Sequence, residues 1–319
     1  MRVARIDRFG GPEVLVDAEA PEPVAAHGQA VIDVAFAGVT FADTRLRAGA
    51  PGPFTGTPPL VPGNGVAGAV AAVGAGVDAS LVGARVVSST GGAGGYAERV
   101  AVDAAAMTAV PDALPLDAAA ALMADGRTAL LLTRAAGIRP GDRVLVEAAA
   151  GGLGTLLVQT AAAAGARAVA AAGGPPKLAL ARALGAHEAV DYRDPGWPEG
   201  VREAVGELDV VFDGVGGAVG RAAFGLLARG GRMVGYGMAS GEWAAPPPDE
   251  AARRGVTLVP LGRPDPDEMA ALVRDALAEG AAGRLRPVIG RRVPLARAAE
   301  AHAALESRAT LGKTLLVVT

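Results

Sequence analysis

The chain has 319 residues, and its hydrophobic share of 51% supplies enough apolar material for the cores of about two domains. Its formal net charge of −3 does not favour nucleic acid as a main partner. The sequence contains no cysteine, which excludes disulfides, thiolate nucleophiles and cysteine-ligated zinc.

The sequence shows no targeting segment and predicts no membrane span. The N-terminal MRVARIDRFGGPEVLV is charged and broken by glycines, unlike a signal peptide. The most apolar window, residues 117–136, is rich in alanine and is interrupted by Asp125, Arg127 and Arg134, which predicts a buried helix. We therefore expect a cytoplasmic protein.

The first part of the chain, up to about residue 115, predicts a β-rich domain. Short apolar or alternating runs such as MRVARIDRFG, QAVIDVAFAGV and GVAGAVAAVGAGV are broken at close intervals by Gly and Pro. The stretch LPLDAAAALMADGRTALLLTRAAG then has a helical period. We expect Asp117 to be its N-cap and Gly137 to follow its last turn.

From residue 143 onward, strands and helices alternate, which predicts a doubly wound parallel sheet. RVLVEAA is the first strand and residues 152–164 the first helix, and helices are also expected at 198–206 and 217–229. From residue 284 the pattern returns to strands. The simplest topology is a domain of residues 1–116 and 284–319, into which a dinucleotide-binding domain, residues 117–283, is inserted.

A glycine cluster separates the first strand and the first helix of the alternating region. Ala149, Gly151 and Gly154 fit the pattern G-x-G-x-x-G with alanine at its first position, and Gly152 and Leu153 lie inside it. A backbone without Cβ atoms can approach a pyrophosphate, which the amides and the dipole of the helix N-terminus then bind. This context favours a dinucleotide site, and the alternative is a tight turn without a ligand.

The region after the second strand bears on the choice between NAD and NADP. An NAD site usually carries an acid about 20 residues past the glycines, where it binds the ribose 2′-hydroxyl. No acid occurs between Gly165 and Lys177. Gly173 and Gly174 leave room for a 2′-phosphate and Lys177 supplies charge, so the pattern predicts NADPH. The alternative for Lys177 is a solvated lysine at a helix start.

These motifs resemble the zinc-free, zeta-crystallin-like quinone oxidoreductase branch of the medium-chain dehydrogenase/reductase superfamily. The resemblance covers nearly the whole chain, through stretches such as AGVTFADTRLRAG, VPGNGVAGAVAAVGAGV, RTALLLTRAAGIRPGDRVLVEAAAGGLGTLLVQTA and ESRATLGKTLLVV. It implies a Rossmann domain inserted into a GroES-like substrate domain, with the nicotinamide in the cleft between them. It also implies a homodimer.

The resemblance implies roles for individual residues of the cofactor site. Gly174 and Lys177 are expected to face the 2′-phosphate, Tyr192 to lie at the adenosine phosphate, Arg308 to reach the same region, and Thr128 to lie beside the nicotinamide. Taken alone, Tyr192 is a strand-end aromatic, Arg308 a solvated charge and Thr128 a mid-helix hydroxyl that bonds back to a carbonyl.

The chain departs from related sequences at positions expected to carry metal or substrate. Asn64 and Gly65 stand where zinc-dependent relatives carry G-H-E, which argues against zinc-assisted alcohol oxidation. Thr40 replaces a usual asparagine, Arg45 a usual tyrosine, and Arg127 a usual apolar residue. We expect the cofactor half to be conventional and the substrate half to be altered.

The leading hypothesis is hydride transfer from NADPH to a quinone or to the β-carbon of an α,β-unsaturated carbonyl compound. Thr40 or Arg45 is the predicted hydrogen-bond donor to the carbonyl oxygen on which charge develops. Arg45 would favour an acidic small-molecule substrate, and its alternative is a solvated loop arginine. The sequence does not separate quinone from enone reduction.

No strong general acid is predicted. Asp43 is interpreted as a structural cap of the ADTRLRAG turn, and His27, His187 and His302 occur in contexts that look exposed. Two other functions stay open. One is an NADPH-binding protein of low activity with a structural or RNA-associated role. The other is a biosynthetic enoyl reductase with a narrow substrate, which the changed residues favour.

Overall fold

The computed structural model of the protein describes residues 1–262 and 264–318. In chain order its strands and helices are β1 (Arg2–Ile6), β2 (Leu15–Glu19), β3 (Gln29–Val39), α1 (Phe41–Ala48), β4 (Gly65–Val73), β5 (Arg85–Ser89), β6 (Arg99–Asp103), β7 (Met107–Ala109), α2 (Leu116–Ala121), α3 (Arg127–Ala136), β8 (Arg143–Glu147), α4 (Gly152–Ala163), β9 (Arg167–Ala172), α5 (Pro175–Ala183), β10 (Glu188–Asp191), α6 (Trp197–Val205), β11 (Leu208–Asp213), α7 (Gly217–Gly225), β12 (Leu227–Gly235), α8 (Pro248–Arg254), β13 (Thr257–Leu258), α9 (Pro266–Ala281), β14 (Ile289–Pro294), α10 (Ala298–Glu306) and β15 (Lys313–Val317).

The chain divides into two compact units, and the second is a continuous segment inserted into the first. The first unit comprises Met1–Arg127 and Pro266–Thr319, and the second comprises Thr128–Asp265. The domain limits expected from the sequence stay a prediction. No helix in the described part of the chain combines the length and the apolar surface needed to cross a bilayer.

The first unit is built on a seven-stranded sheet with the order β14-β15-β3-β4-β5-β7, and β6 also pairs with β3. Neighbouring strands are antiparallel except β14 and β15, which run parallel. Along β3, exposed Asp33 separates buried Ile32 and Val34, the alternation expected of a strand with one face on the core. Strands β1 and β2 form a separate antiparallel pair.

The second unit contains a six-stranded parallel sheet with the order β10-β9-β8-β11-β12-β13. The chain runs outward from β8 through β9 to β10, then crosses to the other side of β8 and continues from β11 to β13. The direction therefore reverses between β8 and β11, and ligands of such sheets bind beyond the carboxyl ends of the strands at this switch point. The doubly wound sheet predicted from the alternating pattern is confirmed.

The predicted single helix over the alanine-rich window is wrong in detail. Helices α2 and α3 are joined by one wide π-helical turn, Leu122–Gly126. Helix α9 packs on this turn so closely that a Cβ on Gly126 would lie 3.0 Å from the Cβ of Ala276. The turn thus belongs to a contact between distant segments, which the local period does not encode.

Two other local expectations are corrected. The N-cap position before α2 is occupied by Pro115, and Asp117 lies inside the first turn, where its carboxylate accepts a hydrogen bond from the Ala118 amide at 2.8 Å. The helix expected over 217–229 ends at Gly225 because the chain enters β12 two residues later. Gly137 follows α3 with a φ of +57°, as the sequence predicts.

Candidate active site

The glycine cluster forms the turn from β8 into α4, at the switch point of the sheet. Gly151 is the N-cap residue, with φ −80° and ψ 171°, and Gly152 begins the helix. Gly154 faces the turn itself, because a Cβ there would lie 2.2 Å from the carbonyl oxygen of Ala148. Only glycine therefore lets the first turn of α4 pack on the backbone that leads into it.

The beginning of α4 has the properties of an anion site. The first turn, which contains Gly152, Leu153 and Gly154, presents amides that have no acceptor inside the helix. It carries no acidic side chain and no side-chain cap, so nothing in the turn competes with an anion for these amides. Buried Ala149 lies in the same turn. These residues fit a pyrophosphate.

Two buried carboxyl groups lie beside this turn, and sequence reasoning missed them as a pair. Glu147 ends β8 and Asp213 ends the neighbouring strand β11. The Val215 amide donates to both carboxylates at 3.1 Å, and the Gly216 amide donates to Asp213 at 2.6 Å. In both segments, VLVEAA and VVFDGVG, an acid follows directly after an apolar run, and this pattern was the signal that could have found the pair.

The buried position of Glu147 favours the neutral form of its carboxyl group. Burial raises the pKa of the Glu147 carboxyl well above its usual range, and the hydrogen bond with Asp213 and the charge of Asp213 raise this pKa further. The pair fixes the loop after β11 through the backbone amides it binds. The carboxyl ends of the two strands at the switch point are therefore linked through the Val215 amide, which donates to both side chains.

The turn between β9 and α5 is contacted by an ion pair, Asp191 and Arg193, from the end of β10. Gly174, at φ +96°, donates its amide to the Asp191 carboxylate at 3.0 Å. Asp191 also binds the Arg193 guanidinium, with distances of 2.9 Å from Nε to Oδ1 and 2.6 Å from Nη2 to Oδ2. A Cβ on Gly174 would lie 2.9 Å from Arg193 Nη2, so the guanidinium lies directly against the turn.

Asp191 brings an acidic side chain to this turn, although no acid occurs between Gly165 and Lys177 in the sequence. It reaches the turn from β10, and the bond with Arg193 lowers its pKa to about 2. Both oxygens of this carboxylate already accept hydrogen bonds, from the Arg193 guanidinium and the Gly174 amide. Sequence reasoning missed both residues, although they flank Tyr192 in EAVDYR.

The structure brings most of the predicted cofactor residues together at the carboxyl ends of β8, β9 and β10. A Cβ on Gly173 would lie 3.5 Å from the Tyr192 ring, and half-buried Lys177 lies in the first turn of α5. Thr128 belongs to the same unit, near the start of α3. Thr40, Arg45 and Arg308 belong to the other unit, where Arg308 follows α10 with a φ of +56°.

In the first unit, Thr40 and Asp43 form a capping box at the start of α1. The Thr40 amide and hydroxyl donate to Asp43 Oδ2 at 2.8 Å and 2.7 Å, and the Asp43 amide donates back to Thr40 Oγ1 at 3.3 Å. The interpretation of Asp43 as a cap is confirmed. The Thr40 hydroxyl hydrogen is thereby directed at Asp43.

The first unit also contains a buried pair of polar side chains, Tyr96 and His302. Tyr96 Oη and His302 Nε2 are 3.0 Å apart, and both side chains are fully buried. The prediction that His302 is exposed is wrong, because α10 turns it into the core of the first unit. Burial, together with the charge of Arg47, lowers the pKa of His302 to about 3, so the ring is neutral. His27 and His187 are exposed, as predicted.

Arg45 lies on α1, and its side chain is anchored at one nitrogen. Its Nε donates to the carbonyl oxygen of Pro51 at 2.7 Å. In the described part of the chain, the two terminal nitrogens of this guanidinium have no hydrogen bond. The predicted contacts of Thr40, Arg45 and Thr128 with substrate or nicotinamide stay predictions.

Comparisons with known proteins agree with this fold along nearly the whole chain. The family model of the alcohol dehydrogenase GroES-like domain matches residues 26–112, and that of the zinc-binding dehydrogenase matches residues 184–316. The chain is 34% identical to a 2-haloacrylate reductase from a Burkholderia species, over 98% of both chains. It is also 34% identical to the quinone oxidoreductase of Pseudomonas aeruginosa, over 97% of both chains.

Solved structures give the same result. The NADPH complex of Escherichia coli quinone oxidoreductase matches with a TM-score of 0.90 and 30% identity over 100% of both chains. The quinone oxidoreductase of Thermus thermophilus, solved with and without NADPH, matches with a TM-score of 0.84 and 39% identity over 100% of both chains.

The chain belongs to the quinone oxidoreductase branch of the medium-chain dehydrogenase/reductase superfamily. The predicted fold class, a Rossmann sheet inserted into a GroES-like domain, is confirmed. The positions at which zinc-dependent medium-chain dehydrogenases carry G-H-E are different here. Asn64 Oδ1 accepts from the Ser89 hydroxyl at 3.0 Å. The described residues include no group of three His, Asp or Glu that could hold a metal ion, so they do not fit a catalytic zinc.

Proposed function

We propose that this member of the quinone oxidoreductase branch, an NADPH-dependent oxidoreductase, reduces the activated double bond of a small α,β-unsaturated carbonyl compound, with carboxylates among its substrates. The observation that carries the cofactor assignment is the Arg193 guanidinium against the Gly174 turn. The names of the relatives support the chemistry, because they include a 2-haloacrylate reductase and several quinone oxidoreductases.

The cofactor residues would bind the pyrophosphate in the middle of the dinucleotide and the 2′-phosphate on its adenosine ribose. The amides of Gly152, Leu153 and Gly154 would bind the pyrophosphate at the positive end of α4. Arg193 and Lys177 would bind the 2′-phosphate. A hydrogen bond between a cationic side chain and a phosphate is stronger than one to the uncharged ribose hydroxyl of NADH, so these residues would favour NADPH. Bound NADPH would supply the hydride. We place Thr128, Tyr192 and Arg308 at this site on the family resemblance.

The substrate residues stabilise negative charge on the carbonyl or carboxylate. With its Nε anchored to Pro51, Arg45 would offer both terminal nitrogens to a carboxylate, in the paired geometry that guanidinium and carboxylate groups share. Thr40 would donate to the carbonyl oxygen only after its hydroxyl hydrogen turns away from Asp43, which accepts it at 2.7 Å. No titratable side chain is assigned to the final protonation, which we assign to water.

Initial rates of NADPH oxidation test the function with three acceptors: an acrylate, cyclohexenone and a benzoquinone. We expect the acrylate and the enone to be reduced with NADPH and more slowly with NADH. NADPH binding without turnover of any acceptor would refute the reductase assignment and favour a binding role. Turnover of the quinone alone would refute the double-bond specificity.

The charge on Arg45 is tested by a substitution that separates charged from neutral substrates. Arg45→Gln is expected to raise KM for the acrylate about tenfold, the cost of one charge-assisted contact, with little change for cyclohexenone. Arg8→Gln, at an exposed position of the same unit, is the matched control. Equal effects on both substrates would show that Arg45 does not read the carboxylate.

The homodimer and the cytoplasmic location stay predictions. Light scattering of the purified protein tests the first, and fractionation of the source cell tests the second.

A further inference from the structure

The first unit contains a cavity of about 310 Å³ whose lining includes neither Thr40 nor Arg45. It opens between β5 and the N-terminal half of α9. Its floor is apolar and buried, and is formed mainly by Val87, Met123 and Val273. Its mouth carries exposed Asp103 and Ala106. The space corresponds to about ten water molecules at roughly 30 Å³ each, a volume within reach of a small organic ligand.

Arg127 lies in the wall of this cavity, at a position where related sequences usually carry an apolar residue. Its guanidinium has no hydrogen bond and no carboxylate within ion-pair distance in the described part of the chain. Asp125, whose charge acts on Arg127, is itself paired with Lys313 at 3.0 Å. Burial lowers the pKa of Arg127, which shows that its charge is poorly solvated.

Two other polar side chains of the lining, Ser88 and Ser89, are already hydrogen-bonded. The Ser88 hydroxyl can donate to the carbonyl oxygen of Ser89 at 3.0 Å or to that of Ala106 at 3.3 Å. The Ser89 hydroxyl donates to Asn64 Oδ1. A half-buried cation that faces apolar walls without a partner is costly to maintain, and an anion placed beside it removes that cost. The cavity therefore offers one cationic side chain, Arg127, and an apolar floor.

We propose that this cavity is a second ligand site, which binds a monocarboxylate with an apolar body. The carboxylate pairs with Arg127, and the body packs between Met123, Met269 and Val273. Exposed Asp103 at the mouth repels a second negative charge, so dicarboxylates are disfavoured. A ligand with roughly ten non-hydrogen atoms, such as benzoate or octanoate, fits the volume. The site does not depend on the reaction proposed above.

Methyl spectra of methionine test the site directly, because the sequence has only six methionines. In protein labelled at the methionine methyl carbons, sodium benzoate is expected to shift the signals of Met123 and Met269, and to leave those of Met233 and Met238 in the other unit unchanged. Benzyl alcohol and terephthalate are expected to bind at least tenfold more weakly. Equal affinity for the alcohol, or no saturable shift at Met123 and Met269, would overturn the proposal.

Two variants locate the contact. Arg127→Met is expected to weaken benzoate binding at least tenfold, whereas Arg8→Met, at an exposed position, leaves it unchanged. Ala270→Leu fills the cavity from α9 and keeps the charge, so it is expected to abolish the shifts even if Arg127→Met does not fold. Wild-type affinity in either cavity variant would overturn the assignment.

Discussion

Two alanine substitutions in the glycine cluster separate the packing of α4 from the binding of the cofactor. In Gly154→Ala the new Cβ would lie 2.2 Å from the Ala148 carbonyl oxygen and 2.8 Å from the Ala149 Cα. Both neighbours are backbone, so helix and turn must separate by about 1 Å, which typically costs about 1–3 kcal/mol. The higher helix propensity of alanine offsets at most about 1 kcal/mol of this destabilisation. We therefore expect a lower free energy of unfolding.

In Gly151→Ala the same methyl group meets far less resistance. Its nearest neighbour would be the Ala148 carbonyl oxygen at 3.3 Å, and the backbone φ of −80° suits any residue. We expect stability within about 0.5 kcal/mol of wild type. The methyl group would nevertheless stand where the pyrophosphate approaches, so the dissociation constant for NADPH should rise at least tenfold, or about 1.4 kcal/mol.

The assay combines urea unfolding of the free protein with fluorescence titration of NADPH. Gly154→Ala should lower the unfolding midpoint, and Gly151→Ala should weaken NADPH binding at an unchanged midpoint. Wild-type stability in Gly154→Ala would refute the packing argument. Wild-type affinity in Gly151→Ala would show that the phosphates do not contact this turn.

Three further predictions concern charged and titratable groups. Burial raises the pKa of Glu147, so the folded protein binds this proton more tightly than the unfolded chain does. The free energy of unfolding should therefore fall as pH rises above about 4.5 toward the raised pKa, by up to about 1.4 kcal/mol per pH unit. Glu147→Gln should flatten this slope when urea unfolding is measured across pH. Arg193→Gln should reduce the preference for NADPH over NADH about tenfold, and Lys177→Ala should also reduce it, as measured by titration with both nucleotides. Because the pKa of His302 is lowered to about 3, the free energy of unfolding should fall as pH drops below about 6.5. Tyr96→Phe removes the hydroxyl that partners His302 Nε2, and it should lower the free energy of unfolding by about 1–3 kcal/mol.

Each of these predictions has an outcome that contradicts it. A pH slope that persists in Glu147→Gln would assign the titration to another group. An unchanged nucleotide preference in Arg193→Gln, with exposed Arg139→Gln as the control, would remove this residue from the 2′-phosphate site. A fully stable Tyr96→Phe protein would mean that water or another group satisfies the buried histidine.

The local features of the chain could be predicted from its sequence. The strand, glycine turn and helix of residues 143–163, and the cap formed by Thr40 and Asp43, depend on backbone conformation and on hydrogen bonds that span a few residues. The alternating pattern was enough to predict a parallel sheet. These properties are determined within one element and its neighbours, so the sequence carries them without the rest of the fold.

The contacts that complete the candidate site were decided by the tertiary structure. Glu147 and Asp213 meet only because β8 and β11 are neighbours in the sheet, and Arg193 reaches Gly174 because β10 lies beside β9. His302 is buried because α10 packs it against Tyr96, although its local sequence looks exposed. The order of strands and the packing of helices depend on the apolar surface buried by the whole chain, and a window of a few residues does not contain that information.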